Sequence, residues 1–207
     1  YTIEGTFEST TKEKLDLYKR HGINRLSFGI ESIDKINLKL LERDFDETKV
    51  KKVISYSKKI GINNINVDLI YAIPNETIDI LKKDIDYILS LDIPHISTYS
   101  LIIEDNTKLK INSIKNISED LDYEMYDFIC KRLKDNNYKH YEISNFSKEG
   151  YESNHNTCYW NNNEYYGFGL GASSYIGNIR KTNTKSITKY LKEINNEEKE
   201  TLSIDDK

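Results

Sequence analysis

Asn64 to Ile73 is the stretch that most narrows what this chain can fold into. It is an almost unbroken run of apolar, mainly β-branched residues, interrupted by Asn66 and by its one acid, Asp68, and closed by Pro74. Such a run reads as a strand covered on both faces, which is how strands of a parallel sheet between helices look. The flanking sequence repeats the theme. Tyr1 to Glu4 is strand-like, and in Asn24 to Ile30 the apolar Leu26, Phe28 and Ile30 alternate with Arg25, Ser27 and Gly29. His95 to Ile103 and Tyr138 to Ile143 are two further strand candidates.

Helical patterns lie between these runs. Thr10 and Glu13 are spaced as a capping box before Leu15 and Tyr18, and Gly22 is the stop. Asp46 caps a helix with Val50, Val53, Ile54 and Ser57 on one face, ended by Gly61. Thr77 to Leu91 turns Leu81, Ile85, Ile88 and Leu89 inward, and Ser118 to Asn137 carries Leu121, Met125, Phe128 and Leu133 in register. Strand–helix alternation every roughly 25 to 45 residues predicts an α/β fold of parallel βαβ units. Four or five units are too few to close a (β/α)8 barrel of about 250 residues, so an open, partial barrel with parallel strands is expected over residues 1–137. Regular alternation then stops. Residues 138–207 are expected to be an aromatic-rich segment, loop-like from Ser144 to Gly177, leading into an α+β region with a weak helical pattern from Ile187 to Ile194.

Composition excludes several classes. The net charge of −4 with 31% charged residues gives no basic stripe for nucleic acid. The apolar runs are too short to form a transmembrane segment. The two cysteines, Cys130 and Cys158, make no disulfide framework and fit a reducing compartment, so the expected location is cytoplasmic. His21, His95 and His140 stand in separate segments, and His155 with Cys158 is half a zinc site at most. The chain opens on Tyr1 inside a strand-like run, so it is expected to be a piece of a longer protein.

Two groups of residues carry chemistry. In parallel α/β folds ligands bind beyond the carboxyl ends of the strands. Glu4, Glu31 with Ser32, Asp68 and the Ser97–Ser100 stretch fall there, with Arg43 close enough to reach the same pocket. Acids on such a rim accept from ribose hydroxyls or attract an amino group or a sulfonium. Taken singly, each also fits a solvated loop residue or helix cap, although Asp68, a charge inside an apolar strand, requires a partner. The second group is His155-Asn156-Thr157-Cys158-Tyr159-Trp160. Ten of the chain's 23 aromatic residues (16 Tyr, 6 Phe, 1 Trp) lie between Tyr138 and Tyr175. This suits a flat apolar ligand with a metal at its centre, coordinated by an imidazole. It equally suits aromatics closing the end of a core. Gly167-Phe168-Gly169-Leu170-Gly171-Ala172 matches GxGxxG/A in letters only, lacking a buried strand before it and an amphipathic helix after it. Those glycines are expected to let the backbone pass close to a ligand or a core aromatic. Ser173, Ser174 and His155 form no placeable hydrolase triad.

Laid end to end, these segments resemble the radical S-adenosylmethionine branch containing the oxygen-independent coproporphyrinogen III oxidases and the HemW-type heme chaperones. Asn24 to Ser32 looks like the NRLSxGxQS strand, Val67 to Pro74 like DLIYGLP, and His95 to Leu101 like HISxYxL. Tyr141 through Trp160 is similar to the YEISNF…HNxxYW segment. The HNxxYW element separates the chaperone-like members from the oxidases. The resemblance implies heme contact by His155, as ligand to the heme iron, with Asn156, Tyr159 and Trp160 beside it and Cys158 as the alternative axial donor. It implies S-adenosylmethionine at Glu4, Glu31, Arg43 and Asp68, with Glu31 replacing the family's glutamine, Thr6-Phe7 its Asn-Pro, Phe45 its histidine and Ala72 its glycine.

The resemblance further implies a [4Fe-4S] cluster whose CxxxCxxC loop would lie upstream of Tyr1, and a C-terminal domain continuing past Lys207. The expected function is that of a heme-binding chaperone fragment delivering heme to apo-hemoproteins, with oxygen-independent coproporphyrinogen III oxidase as the alternative. Without cluster ligands the piece is expected to be inactive alone, and no catalytic residue is assigned to it. Peripheral membrane contact and a homodimer are left open.

Overall fold

The computed structural model describes residues 1–105, 107–192 and 198–201, with residues 198 and 199 described by backbone alone. The chain divides into two compact units, Tyr1–Glu152 and Ser153–Lys207.

The first unit carries the alternation. Strands β1 (Thr2–Gly5), β2 (Arg25–Glu31), β3 (Asn64–Tyr71) and β4 (His95–Ser100) run parallel in that order. Helix α1 (Lys12–Arg20) links the first pair, α2 (Lys35–Leu41) and α3 (Glu47–Lys59) the second, and α4 (Ile78–Ser90) the third. The short α5 (Lys108–Ile111) and the long α6 (Glu119–Asp135) follow, then β5 (Lys139–Glu142) and β6 (Asn145–Ser147). The sheet order is β1-β2-β3-β4-β6-β5, with β6 antiparallel to both β4 and β5. This is an open, mostly parallel α/β sheet, the arc of a barrel.

Its outer face is the apolar core. Leu26, Phe28, Ile65, Val67, Leu69, Ile96 and Phe146 are each at most 2% exposed. They pack against Leu15 of α1, Val50, Val53 and Ile54 of α3, Leu81, Ile85 and Ile88 of α4, and Met125, Ile129 and Leu133 of α6. The caps follow the sequence logic: Asp46, Thr77 and Ser118 each accept a backbone N–H from the first turn of their helix.

Several expectations need correction. Thr11, not Thr10, caps α1, accepting from the Lys14 N–H. The Thr10 hydroxyl instead donates to the Thr6 carbonyl at 2.7 Å. Helix α2 is capped by Asp34, which accepts from the Ile36 and Asn37 N–H groups. The unit boundary falls after Glu152 rather than after residue 137, because β5 and β6 pair into the first unit's sheet. The third strand is apolar on one face only; Asn66 and Asp68 turn to the other.

The second unit is an antiparallel sheet, β7 (Ser173–Ile176), β8 (Ile179–Thr182) and β9 (Glu198–Thr201), with helices α7 (Asn154–Trp160) and α8 (Ile187–Leu191). The stretch from Ser144 to Gly177 is therefore not loop-like throughout, since it contains β6, α7 and β7. Expectations for 193–194 and 202–207 lie outside the described residues. Gly167 sits where a Cβ would come within 2.1 Å of the Ser173 carbonyl oxygen. The close approach is to the backbone of β7, not to a ligand or an aromatic ring.

Candidate functional site

Strand register decides which side chains share a surface. Glu4 is level with Ser27, Ser27 with Asn66, and Asn66 with His95. Two residues further along, Gly29 is level with Asp68, and Asp68 with Ser97, which faces Asn145 of β6. Side chains alternate across a strand, so all of these lie on the inner face, away from the helices.

Glu31 reaches that face by an unusual route. The register shifts between Gly29 and Glu31, and Glu31 takes a left-handed φ of 63°. Its carboxylate folds back over Gly29, where a Cβ would stand 2.7 Å from Oε1. Arg43 Nε, just past α2, meets Glu31 Oε2 at 3.1 Å. Burial pushes the Glu31 carboxyl above its usual range, and Arg43 pulls the other way. Burial also raises the Asp68 carboxyl, countered by hydrogen bonds from Asn66 and Ser97 and helped by the negative charge of Glu4. The structure thus gathers Glu4, Glu31, Arg43 and Asp68 around the strand ends of one face.

Two buried carboxylates hold the turns behind this rim. Asp84 of α4 accepts from the Ser32 hydroxyl at 2.7 Å and from the Ile33 N–H at 2.8 Å. Glu76 accepts from the Ile73 N–H at 3.1 Å and from Asn37 Nδ2 at 3.3 Å. They fasten the turns after β2 and β3, in which Glu31 and Ala72 both carry positive φ. Burial raises the Glu76 carboxyl to about 8.

Sequence reasoning missed a buried polar network on the same face. Asn66, His95, Ser97 and Asn145 are all buried, and His95 is 0% exposed. Desolvation depresses the His95 imidazole to about 3. The readable signal was the period-two spacing of polar residues at Asn64, Asn66 and Asp68 and at His95, Ser97 and Tyr99.

The residues of the HNxxYW element lie together on α7 in the second unit. His155 is exposed, and its ring meets Tyr159 edge-on with centroids 4.8 Å apart. Tyr159 in turn packs on Tyr165 at 4.4 Å, and Trp160 is 55% exposed. Asn156 Oδ1 accepts from the hydroxyl of Ser153, the residue that caps the helix. The half-buried Cys158 directs its thiol at the carbonyls of Asn163 and Glu164, 3.9 and 3.8 Å away.

Comparison with known proteins bears on both places. Residues 2–88 match the radical SAM superfamily. A heme chaperone HemW from Lactococcus lactis subsp. lactis (strain IL1403) is 38% identical over 196 residues, covering 93% of this chain and 52% of the relative. By the match over residues 2–88 the first unit is similar to the radical SAM superfamily. A heme chaperone HemW from Bacillus subtilis (strain 168) is 34% identical, with 92% of this chain and 52% of that protein covered. The chain thus spans about half the length of the curated relatives it matches. Among solved structures, coproporphyrinogen III oxidase (HemN) from Escherichia coli, a radical SAM enzyme, superposes with a TM-score of 0.83 over 99% of this chain and 52% of that one. At 19% identity this likeness establishes the fold.

The superfamily that residues 2–88 match implies S-adenosylmethionine and a [4Fe-4S] cluster as its cofactors. The inner-face residues fit the first chemically. Three carboxylates suit a sulfonium, an ammonium and ribose hydroxyls, a guanidinium suits a carboxylate, and Gly29 leaves room for the Glu31 carboxylate on the sheet. The cluster does not fit these residues. The chain's two cysteines, Cys130 and Cys158, stand on different units, and no group of three His, Cys, Asp or Glu able to hold a metal occurs among the described residues. No helix among the described residues is long and apolar enough to cross a membrane.

Proposed function

We propose that this chain is part of a heme chaperone of the HemW type, which holds heme at His155 for delivery to apo-hemoproteins in the cytoplasm. One observation carries the reading: an accessible imidazole, steadied edge-on by Tyr159, on the same short helix as the exposed indole of Trp160. A neutral imidazole is a good axial donor to heme iron, and exposed aromatic surface suits the faces and edges of a tetrapyrrole. Ser153 and Asn156 would fix the start of α7 and hence the direction of His155. The relatives named heme chaperones support the same assignment.

In the same proposal the inner face of the first unit holds S-adenosylmethionine. Glu4, Glu31 and Asp68 would accept from its hydroxyl and cationic groups, and Arg43 would pair with its carboxylate. When bound together with a cluster, that cofactor supplies radical chemistry. This chain's own residues bind and orient it, and we assign no catalytic residue here.

Titrating the protein with ferric heme tests the proposal. A saturable Soret shift is expected, weakened at least tenfold in affinity by His155→Ala and less by Trp160→Ala. An identical titration in the His155 variant would remove the ligand assignment. Anaerobic conversion of coproporphyrinogen III by the complete protein would favour the oxidase reading instead.

A further inference from the structure

The buried polar residues of the inner face are connected with a definite direction. Asn66 Nδ2 donates to Ser27 Oγ and to Asp68 Oδ1, each at 2.8 Å. Asn66 Oδ1 is therefore the atom that meets His95 Nδ1 at 2.6 Å. Reversing the amide would press its oxygen against an ionised carboxylate, which accepts and cannot donate. With Oδ1 as acceptor, His95 must carry its proton on Nδ1. Its Nε2 is then a bare acceptor, and the Tyr141 hydroxyl, 2.8 Å away, donates to it. Ser97 Oγ lies 3.1 Å from Asn66 Oδ1 and 2.7 Å from Asn145 Oδ1. Asn145 in turn donates to Glu142, tying the β5–β6 hairpin to the network.

We propose that Asn66, His95 and Tyr141 are positioning residues: a one-way hydrogen-bond chain from Tyr141 through His95 and Asn66 holds the Asp68 carboxyl group aimed along the inner face. A ligand donating a hydroxyl or presenting a cation then meets an acceptor whose geometry is already set, without ordering it on binding. That the ligand is S-adenosylmethionine rests on the function proposed above; the chain of hydrogen bonds does not.

The surroundings make the support necessary. Asp68 feels the like charge of Glu4 on β1 and of Glu31 on β2, opposed by Arg25 on β2, and Tyr99 on β4 faces it too. Burial disfavours its ionised form. His95 contributes no charge, being held neutral, so its part is directional: it receives from Tyr141 and orients the Asn66 amide.

NMR on the full chain tests this without activity. In the unaltered protein, 15N shifts of His95 should report the Nδ1-protonated neutral tautomer down to about pH 5. The Nε2-protonated tautomer, which requires the Asn66 amide reversed, or an imidazolium near pH 6, whose Nε2–H would donate to Tyr141 and turn that link around, would overturn the proposal. The 13C carboxyl titration of Asp68, assigned with Asp68→Asn, should move up by about one pH unit in Asn66→Ala. An unmoved midpoint in a folded variant overturns the proposal. Binding of S-adenosylmethionine to the complete protein, measured against pH, separates the two readings. If the acid limb of binding shifts with the midpoint, both stand. If the midpoint moves but the unaltered protein binds no S-adenosylmethionine, the positioning chain stands and the ligand assignment fails.

Discussion

Glu31 is held against two preferences at once. A non-glycine residue with φ 63° is disfavoured, and a carboxylate half-buried near Asp68 and Glu8 resists ionisation. What compensates is local: the Arg43 guanidinium at 3.1 Å, and the bare Cα of Gly29 beneath the carboxylate. Gly29→Ala should therefore cost less than about 1 kcal/mol of stability, because the end of a flexible side chain can move away. It should nevertheless break the Glu31–Arg43 contact and weaken S-adenosylmethionine binding by the complete protein about tenfold. Denaturant melts and calorimetric titration of one variant would read both. Glu31 and Arg43 could be named from sequence because they sit at a strand end and just past a short helix. Their contact could not, since it depends on the register shift after Gly29. The opposite case is His95, whose residue type was visible but whose burial follows only from the pairing of β4 with β6.

At the level of elements, legibility followed hydrophobic period. Helix α3 could be read directly, because Asp46 caps it and Val50, Val53, Ile54 and Ser57 are all buried. Helix α7 could not: Asn-His-Asn-Thr-Cys-Tyr-Trp lacks good helix formers, and Ser153 was its one signal. Strand β6 is Asn-Phe-Ser, buried by pairing rather than by apolar composition. Asp46→Ala should cost about 1 kcal/mol, measurable by urea denaturation. The turns after β2 and β3 carry a pH signature through Glu76. Its folded pKa of about 8 stands above the ordinary 4.5, so the native state holds the extra proton between those values. Stability from this group is full below about 4.5 and falls by up to ~1.4 kcal/mol per unit as pH rises towards 8. Glu76→Gln should flatten that fall, with melts at pH 5 and pH 8 as the check. A loss in the variant as steep as in the parent would rule Glu76 out.

Across the whole molecule, the βαβ pattern located the open sheet, and superposition on a radical SAM enzyme at a TM-score of 0.83 agrees with it. The sheet is edged by β1, which pairs with β2 on one side only among the described residues and leaves Thr2 and Glu4 exposed. Unprotected edges recruit other strands. The 207-residue chain alone should therefore associate with rising concentration in analytical ultracentrifugation, and a monomer throughout would contradict this. The larger question is whether the second unit grips heme through His155. His95 is buried with both ring nitrogens engaged, which leaves His21 and His140 as the competing exposed imidazoles. Hyperfine spectroscopy of ferric heme bound to 15N-histidine-labelled protein reads the axial donor itself. We expect a single strongly coupled histidine nitrogen that disappears in His155→Ala and survives His140→Ala and His21→Ala. A coupling unchanged in the His155 variant, or no histidine coupling at all, would contradict heme ligation at this site.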